Sequence, residues 1–209
     1  MEIKNTKVYG LEESIKRSSY PRTINEIEFI DIPFTNELNK AIKLGNSKQG
    51  SGHDTFLKGI IVQFDLKYPQ YFTPQLQRYH WVDIISSQSK MHSLIKIKDI
   101  ENSCNKYVLP EQLSLIKFFI SRYNNANTEY PNFYNTGKSI IEINSKQELF
   151  QYIISNLPMG FEMWMGITTN YLQLKTIYNQ RKTHKLEEWK YFCDWIKELP
   201  MSNLIINEK

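Results

Sequence analysis

The sequence predicts an α+β domain, in which strands and helices are mixed along the chain. Residues 60–67 alternate between apolar and polar side chains, which is typical of a half-buried strand. Several other stretches repeat apolar residues at helical spacing, but the strands and helices do not follow a strict βαβ rhythm. We therefore favour an α+β fold over a doubly wound parallel sheet.

The composition predicts one domain that covers residues 1–209. Hydrophobic residues make up 41% of the chain, which suffices for a sizeable core, and no linker rich in Pro, Gly or Ser divides it. No apolar run has the length of a transmembrane helix, and residues 1–10 lack the apolar stretch of a signal peptide. Cys104 and Cys193 are too few for a disulfide framework, so we expect a cytoplasmic protein.

The charge pattern predicts the kind of partner. The formal net charge is +4, and Lys and Arg are spread along the chain without a basic run. Because a specific nucleic-acid binder concentrates its positive charge, we expect no nucleic-acid partner. The mild positive balance is compatible with a small ligand that carries a phosphate. The sequence has neither the Gly-rich dinucleotide fingerprint nor a Walker loop.

The first half of the chain has helix signals on both sides of the predicted strand. Residues 34–36 indicate a helix start, and residues 48–52 indicate a flexible loop. After the strand at residues 60–67, Thr73 is expected to cap a helix that has proline at its first position and runs through Arg78.

Helix starts continue in the second half. Pro110 begins a helix with apolar residues at helical spacing, and residues 140–143 are expected to form a short strand. Ser145 and Glu148 form a capping box for a helix that ends near Pro158.

The C-terminal part is expected to place a strand directly before two helices. The strand covers residues 163–168, and Asn170 caps the helix that follows it. The last helix stops at Pro200 and carries Cys193 on its apolar face, where core packing explains the thiol best.

All four histidines lie in three dense polar segments, at residues 52–55, 75–92 and 170–189. In the second segment, Gln75 and Arg78 are expected to share a helix face, where an amide and a guanidinium could hold a phosphate or a uracil-like edge. The alternative is a helix end with solvated polar residues, followed by a serine-rich turn.

The third segment also has two interpretations. Arg181 and His184 lie three apart near a helix C-terminus, where the helix dipole favours cations whether or not a ligand binds. His184 and Glu188 are four apart, but no third ligand accompanies them, so a surface ion pair explains them better than a metal site.

Taken in order, the three segments resemble the flavin-dependent thymidylate synthase family. That family has a Gly-His-Glu-Thr loop before a strand, and this chain has Gly52-His53-Asp54-Thr55. The family signature R-H-R-x-x-S-x-N-E-x-S-x-R aligns with the stretch that begins Arg78-Tyr79-His80, and a glutamine three residues earlier aligns with Gln75. Near the C-terminus, the Leu-Pro, the Asn-capped helix and an Arg of the family match Leu157-Pro158, Asn170 and Arg181 at the same spacing.

The resemblance implies a fold in which an antiparallel or mixed sheet is flanked by helices. It further implies a homotetramer that binds FAD and dUMP between its subunits. In that family NADPH reduces the flavin, methylenetetrahydrofolate supplies the carbon, and no protein nucleophile attacks the uracil. The chain would then methylate dUMP or a related pyrimidine nucleotide.

The resemblance also assigns site residues. Arg181 would be the catalytic residue that holds and polarises the pyrimidine. The cofactor-binding residues would be His53, Thr55, Arg78, His80 and Asn170. The substrate-binding residues would be Gln75, Arg78, Ser87, Gln88, Ser89, Lys90 and Arg181.

The chain departs from the family at several of these positions. Ile85-Ser86 replaces the signature Asn-Glu, and Gln88 and Lys90 replace the signature Ser and final Arg. Two family arginines fall on Trp164 and Leu172. A second hypothesis is therefore a divergent homologue that binds flavin and nucleotide without turnover, and a third is an interaction protein that keeps only the fold.

Overall fold

A computed structural model of the chain describes residues 1–24, 34–97, 99–125, 129–135 and 140–206. The chain forms two compact units. Unit 1 consists of residues 1–68, 72–87 and 164–209, and unit 2 consists of residues 69–71 and 88–163. The helix start expected at residues 34–36 is confirmed, because a helix begins at Phe34.

Unit 1 is built on a four-stranded sheet in the order β1-β2-β6-β3. The pairs β1–β2 and β3–β6 are antiparallel. The mixture of helices with an antiparallel sheet confirms the α+β class that the sequence predicts. The strands are β1 (Glu2–Tyr9), β2 (Ile61–Pro69), β3 (Asp83–Ser87) and β6 (Glu162–Asn170).

Strand β2 follows from its alternating sequence. Val62, Phe64 and Leu66 are buried, as expected for one face of a half-buried strand, whereas Gln63 is exposed. Phe64 packs against the ring of Trp195 with ring centroids 4.5 Å apart. The core of unit 1 therefore forms on this face of the sheet.

Five of the next six helices belong to the described residues of unit 1, and the helix at Lys90–Ser93 belongs to unit 2. They are α1 (Leu11–Arg17), α2 (Phe34–Gly45), α3 (Thr73–Leu76), α4 (Lys90–Ser93, in unit 2), α7 (Tyr171–Arg181) and α8 (Glu187–Glu198). A 3-10 helix at Thr55–Gly59 connects the polar loop to β2. The last helix buries Trp189, Phe192, Cys193 and Ile196, as its helical spacing predicts.

Unit 2 packs two helices with a hairpin. The hairpin strands β4 (Asn132–Asn135) and β5 (Ile140–Ile143) are antiparallel, and the helices are α5 (Pro110–Asn124) and α6 (Lys146–Ser155). Phe119 of α5 contacts Tyr134 of β4 with ring centroids 5.7 Å apart. The predicted cap of α6 is confirmed, because the Ser145 hydroxyl accepts the backbone N–H of Glu148 at 3.1 Å.

Helix α3 is shorter than the sequence predicts. It ends at Leu76, so Arg78 lies in the turn that follows. In that turn Tyr79 donates its backbone N–H to Leu76 and is buried, with 7% of its surface exposed. Burying this ring turns the chain out of the helix, so Gln75 and Arg78 do not share a helix face.

None of the helices in the described ranges combines the length and the hydropathy that crossing a bilayer requires.

Candidate functional site

The side chain of Arg181 is held by two aromatic residues. Its Nε donates a hydrogen bond to the Tyr79 hydroxyl at 2.7 Å, and its guanidinium carbon lies 4.6 Å from the centre of the Trp189 ring. Arg181 is the last residue of α7, and its side chain is half-buried. A planar guanidinium stacked on an indole face gains cation–π attraction, so its plane is fixed by its surroundings.

Gln75 holds the edge of the Trp189 indole through a hydrogen bond. The Trp189 Nε1–H donates to the Gln75 side-chain oxygen at 2.8 Å. The Trp189 ring also lies 4.5 Å from the ring of Phe72 and is fully buried. The structure therefore brings Gln75 and Arg181 into one cluster, in which Trp189 lies between them.

His184 lies at the border of this cluster. Its ring is edge-on to Trp189 with centroids 6.4 Å apart, and its Nδ1 accepts the backbone N–H of Leu186 at 3.2 Å. Burial, and secondarily the positive charge of Arg181, lower the pKa of His184 below its ordinary value. Both effects disfavour the protonated imidazole, so His184 is a neutral neighbour of Arg181 at neutral pH.

Arg78 and His80 lie on the exposed side of the same turn. The His80 ring is edge-on to the exposed ring of Trp81, with centroids 4.9 Å apart. Both side chains are exposed and so accessible to a ligand. Their positions are compatible with the expected cofactor-binding role.

His53 and Thr55 line a basic cavity of about 740 Å³ in unit 1. The Thr55 hydroxyl donates to the Gly52 carbonyl at 2.6 Å, and its lone pairs remain available to a donor. The cavity is also lined by Arg17, Arg22 and Lys40, and no acidic side chain is among the described residues that line it. Such a lining suits a ligand with negative charge.

Asp54, the acidic residue of the polar loop, is not among the residues that line this cavity. The Asp54 carboxylate accepts a hydrogen bond from Lys175 Nζ at 2.6 Å, and both side chains are at most 5% exposed. Lys175 Nζ also donates to the backbone carbonyl of Ser47 at 2.8 Å. A buried ion pair therefore fixes the loop that carries His53 onto helix α7.

Asn170 caps α7, as the sequence predicts. Its side-chain oxygen accepts the backbone N–H of Gln173 at 2.9 Å. Asn170 also lines a second cavity of about 400 Å³, together with Trp81, Asp83 and Thr169. The residue therefore has a structural role that is independent of any cofactor.

Replacing Asn170 by alanine should lower the free energy of unfolding by about 1 kcal/mol, because the N–H of Gln173 loses its acceptor. Urea denaturation measures this loss. Asn170→Asp restores an acceptor at the cap and should recover most of the stability. Asn179→Ala, at an exposed position of the same helix, serves as the control. A loss as large for Asn179→Ala as for Asn170→Ala would contradict the capping role.

The remaining candidate residues lie around the end of β3. Ser87 is the exposed last residue of β3 in unit 1, opposite Met165 of β6. Gln88, Ser89 and Lys90 belong to unit 2. Ser89 precedes helix α4, and Lys90 Nζ donates to the Gln70 side-chain oxygen at 2.7 Å.

Sequence reasoning did not single out three residues of the site, namely Tyr79, Lys175 and Trp189. A lysine between Leu174 and Ile177 on a buried helix was a signal for the ion pair, because a buried lysine needs a partner. Nothing local indicated that its partner is Asp54, which is 121 residues away. Among the described residues, no group of three or more His, Cys, Asp and Glu side chains is arranged as a metal site.

Three solved structures are similar to this chain over nearly its whole length. Thymidylate synthase X from Helicobacter pylori, with FAD and dUMP, is 12% identical, with a TM-score of 0.67 over 97% of this chain and 95% of that one. A second structure of the flavin-dependent enzyme from Helicobacter pylori, complexed with FAD and dUMP, is 15% identical, with a TM-score of 0.64 over 98% of both chains.

The third is the UMP/dUMP methylase PolB from Streptomyces cacaoi bound with 5-Br dUMP, which is 11% identical, with a TM-score of 0.61 over 97% of this chain and 93% of that one. No protein-family model and no curated protein matches the sequence. At such identities it is the fold that is shared. The chain therefore has the fold of the flavin-dependent thymidylate synthases, as its three polar segments predict.

Proposed function

We propose that this protein is a divergent flavin-dependent methyltransferase, which methylates dUMP or a related pyrimidine nucleotide with FAD and methylenetetrahydrofolate. The observation that carries the proposal is the fixed guanidinium of Arg181, at the position where the family holds the pyrimidine. A planar guanidinium matches a planar pair of acceptors. The structurally similar proteins bind FAD and dUMP, which supports the same ligand pair for this chain.

The basic cavity supports a phosphate-bearing cofactor such as FAD. Its volume of about 740 Å³ lies within the usual range of small-molecule sites. Arg17 and Arg22 would face the negative charge of the phosphates, while His53 and Thr55 would lie beside the flavin. Lys40 also lines the cavity, with its Nζ paired to the Glu37 carboxylate at 3.2 Å. When bound, the flavin would supply the redox chemistry of the reaction, with NADPH as its reductant.

The burial of Cys193 argues against a nucleophilic role for this thiol. Burial raises the pKa of the Cys193 thiol to about 11, and 3% of the residue is exposed. The reactive form of cysteine is the thiolate, which is scarce at neutral pH when the pKa is so high. The chain's own contributions would instead be to orient and to bind.

The proposed roles follow from where the side chains lie. Arg181 would orient the base and stabilise negative charge that develops on its carbonyl oxygen. Arg78, which is exposed, would bind the nucleotide phosphate, with the free amide nitrogen of Gln75 as a second donor. Ser87, which is exposed at the end of β3 in the same unit, would add a substrate contact, and Asn170 and His80 would contribute on the flavin side.

We also propose that the active assembly is a homotetramer. Every residue of strand β3 is exposed, although this strand carries Ile84 and Ile85 at the edge of the sheet. An exposed edge strand with large apolar side chains favours pairing with another chain. Light scattering on the purified protein measures the assembly, and a monomer at micromolar concentration would refute it.

The flavin content and the nucleotide affinity of the purified protein test the proposed function. The protein should be yellow or should take up added FAD with a flavin absorbance band. With FAD, NADPH and methylenetetrahydrofolate present, C5-tritiated dUMP should release its label, and Arg181→Ala should abolish dUMP binding while the circular dichroism spectrum stays unchanged. A colourless protein that takes up no FAD would refute the flavin assignment.

The second candidate function is a homologue that binds flavin and nucleotide without turnover. It is favoured by Ile85, which is 60% exposed where the family signature has a polar residue. In that case FAD uptake and nucleotide binding persist, but no tritium is released from dUMP. UMP and dCMP as competitors of bound dUMP would then identify the preferred pyrimidine.

A further inference from the structure

Tyr79 contacts the Nε of the Arg181 guanidinium. The Arg181 Nε–H donates to the Tyr79 hydroxyl at 2.7 Å, and among the described residues the guanidinium makes no other hydrogen bond. The two terminal nitrogens are therefore the donors that remain for a ligand. A guanidinium presents its donors in a rigid fork, so fixing Nε also fixes the direction of the other two.

The hydroxyl of Tyr79 is itself oriented. It donates to the side-chain oxygen of Gln180 at 3.2 Å while it accepts from Arg181. A hydroxyl has one donor and two acceptor sites, so both bonds form together without competition. Because the proton points to Gln180, a lone pair is left for the Arg181 Nε–H.

The chain departs from the resembling family at this position, since Tyr79 stands where the signature has a histidine. A histidine can become cationic near neutral pH and would then repel the guanidinium. A phenol hydroxyl carries no positive charge, and it reaches further than an imidazole. The ring of Tyr79 is buried and lies edge-on to Trp189 with centroids 5.8 Å apart, so the hydroxyl is held in place.

The Trp189 ring under the Arg181 guanidinium is itself held by Gln75. The Gln75 side-chain oxygen accepts from Trp189 Nε1 at 2.8 Å, and Trp189 stacks on the guanidinium. The amide oxygen of Gln75 is thus engaged by protein. The hydroxyl of Tyr79 and the indole of Trp189 together restrain the guanidinium along its edge and on its face.

We propose that Tyr79 is a positioning residue, whose hydroxyl aims the terminal nitrogens of Arg181 at the acceptor edge of a pyrimidine base. The choice of ligand rests on the proposed function, whereas the restraint on Arg181 does not. In this protein the tyrosine takes over a position that the family signature gives to histidine. Arg181 would bind the pyrimidine, and the uncharged hydroxyl of Tyr79 would fix the orientation of Arg181 beforehand.

The test compares Tyr79→Phe, which removes only the hydroxyl, with Tyr191→Phe, which removes an exposed hydroxyl from helix α8. Calorimetry measures dUMP affinity in the FAD-loaded protein. Nitrogen-15 NMR measures the Arg181 Nε–H signal, which is assigned by its disappearance in Arg181→Lys. A hydrogen bond to a charged group is lost in Tyr79→Phe, so we expect dUMP to bind about tenfold more weakly or worse.

The NMR signal distinguishes positioning from a loss of structure. In Tyr79→Phe the Nε–H should exchange rapidly with water, while the backbone amide spectrum stays close to that of the wild type. Tyr191→Phe should leave both the signal and the affinity unchanged. Retention of the dUMP affinity and of the protected Nε–H in Tyr79→Phe would overturn the proposal.

The experiment also distinguishes a failure of the proposed function from a failure of the positioning role. If the wild-type protein binds no dUMP, the NMR signal alone decides, and its loss in Tyr79→Phe supports the positioning role while its retention overturns it. If Tyr79→Phe does not fold, Gln180→Leu replaces it, since this exposed change removes the acceptor that orients the hydroxyl. Faster exchange of the Nε–H in Gln180→Leu supports the proposal, and unchanged exchange overturns it.

Discussion

Replacing Lys175 by methionine should lower the free energy of unfolding by about 3–5 kcal/mol, because the change leaves a buried carboxylate without its partner. The Asp54 and Lys175 side chains are 4% and 5% exposed, and 2.6 Å separates Lys175 Nζ from the Asp54 oxygen. Methionine has nearly the volume of lysine, so lost packing contributes little. The loss would come from the Asp54 charge and from the Ser47 carbonyl, which also loses its donor.

Urea denaturation followed by tryptophan fluorescence measures the unfolding of unit 1, which contains the ion pair. The four tryptophans lie at positions 81, 164, 189 and 195, all of which belong to unit 1 together with the ion pair. The midpoint should fall while the slope of the transition stays constant. Lys190→Met, at an exposed position of α8, is the matched control and should change stability by less than about 0.5 kcal/mol.

A double variant isolates the charge. Asp54→Asn combined with Lys175→Met removes the buried carboxylate as well as the ammonium, so it should recover most of the stability that Lys175→Met loses. A Lys175→Met protein within about 1 kcal/mol of the wild type would contradict the expected role of the pair.

The ion pair also links stability to the candidate site. The Gln49 side chain donates to the Thr176 hydroxyl at 2.9 Å, which gives the same loop a second attachment to α7. The loop ends at His53 and Thr55, which line the basic cavity. Because Asp54 is turned towards Lys175, its charge is neutralised outside the cavity, and the lining keeps its positive balance.

Local chemistry accounts for the parts of the fold that the sequence predicted well. The caps at Ser145 and Asn170 depend on side-chain to backbone bonds three residues apart, so a short motif contains all the information. The alternation in β2 likewise predicts its own buried face. The overall fold was predicted from three spaced motifs.

Two strands had no comparable signal. Strand β3 is exposed on both faces, so its sequence shows no alternation of apolar and polar residues. Strand β1 carries mostly polar residues and is defined by its antiparallel partner β2. Pairing between strands far apart in the sequence, and not the composition of either segment, makes these residues strands.

The resemblance supplied the candidate site residues, whose roles stay predictions, and the contacts that hold these side chains together had no signal in the sequence. Helix periodicity put Gln75 and Arg78 on one face, whereas the burial of Tyr79 ends the helix at Leu76. The contact of Tyr79 with Arg181 joins residues 102 positions apart. Tertiary packing of an aromatic ring therefore decided the local geometry, and no window of the sequence contains both partners.

Replacing Trp189 by alanine should lower the free energy of unfolding by about 3–5 kcal/mol, the range typical of a large aromatic side chain removed from a core. Trp189 is fully buried and packs against Phe72 and Phe192, with ring centroids 4.5 and 5.8 Å away. Its loss also leaves the Gln75 side-chain oxygen without a donor. The remaining three tryptophans still report the urea transition of unit 1.

Two further substitutions separate packing from the role of the indole in the site. Tyr191→Ala removes an aromatic ring that is 45% exposed on the same helix, and should change stability by less than about 0.5 kcal/mol. Trp189→Phe keeps much of the packing and removes the N–H, so it should be less destabilising than Trp189→Ala. Because the indole face under Arg181 also shrinks, the Arg181 Nε–H should exchange faster in Trp189→Phe even where the protein remains folded. If Trp189→Ala were no more destabilising than Tyr191→Ala, the indole would not be the centre of this core, and the stacked arginine would need another support.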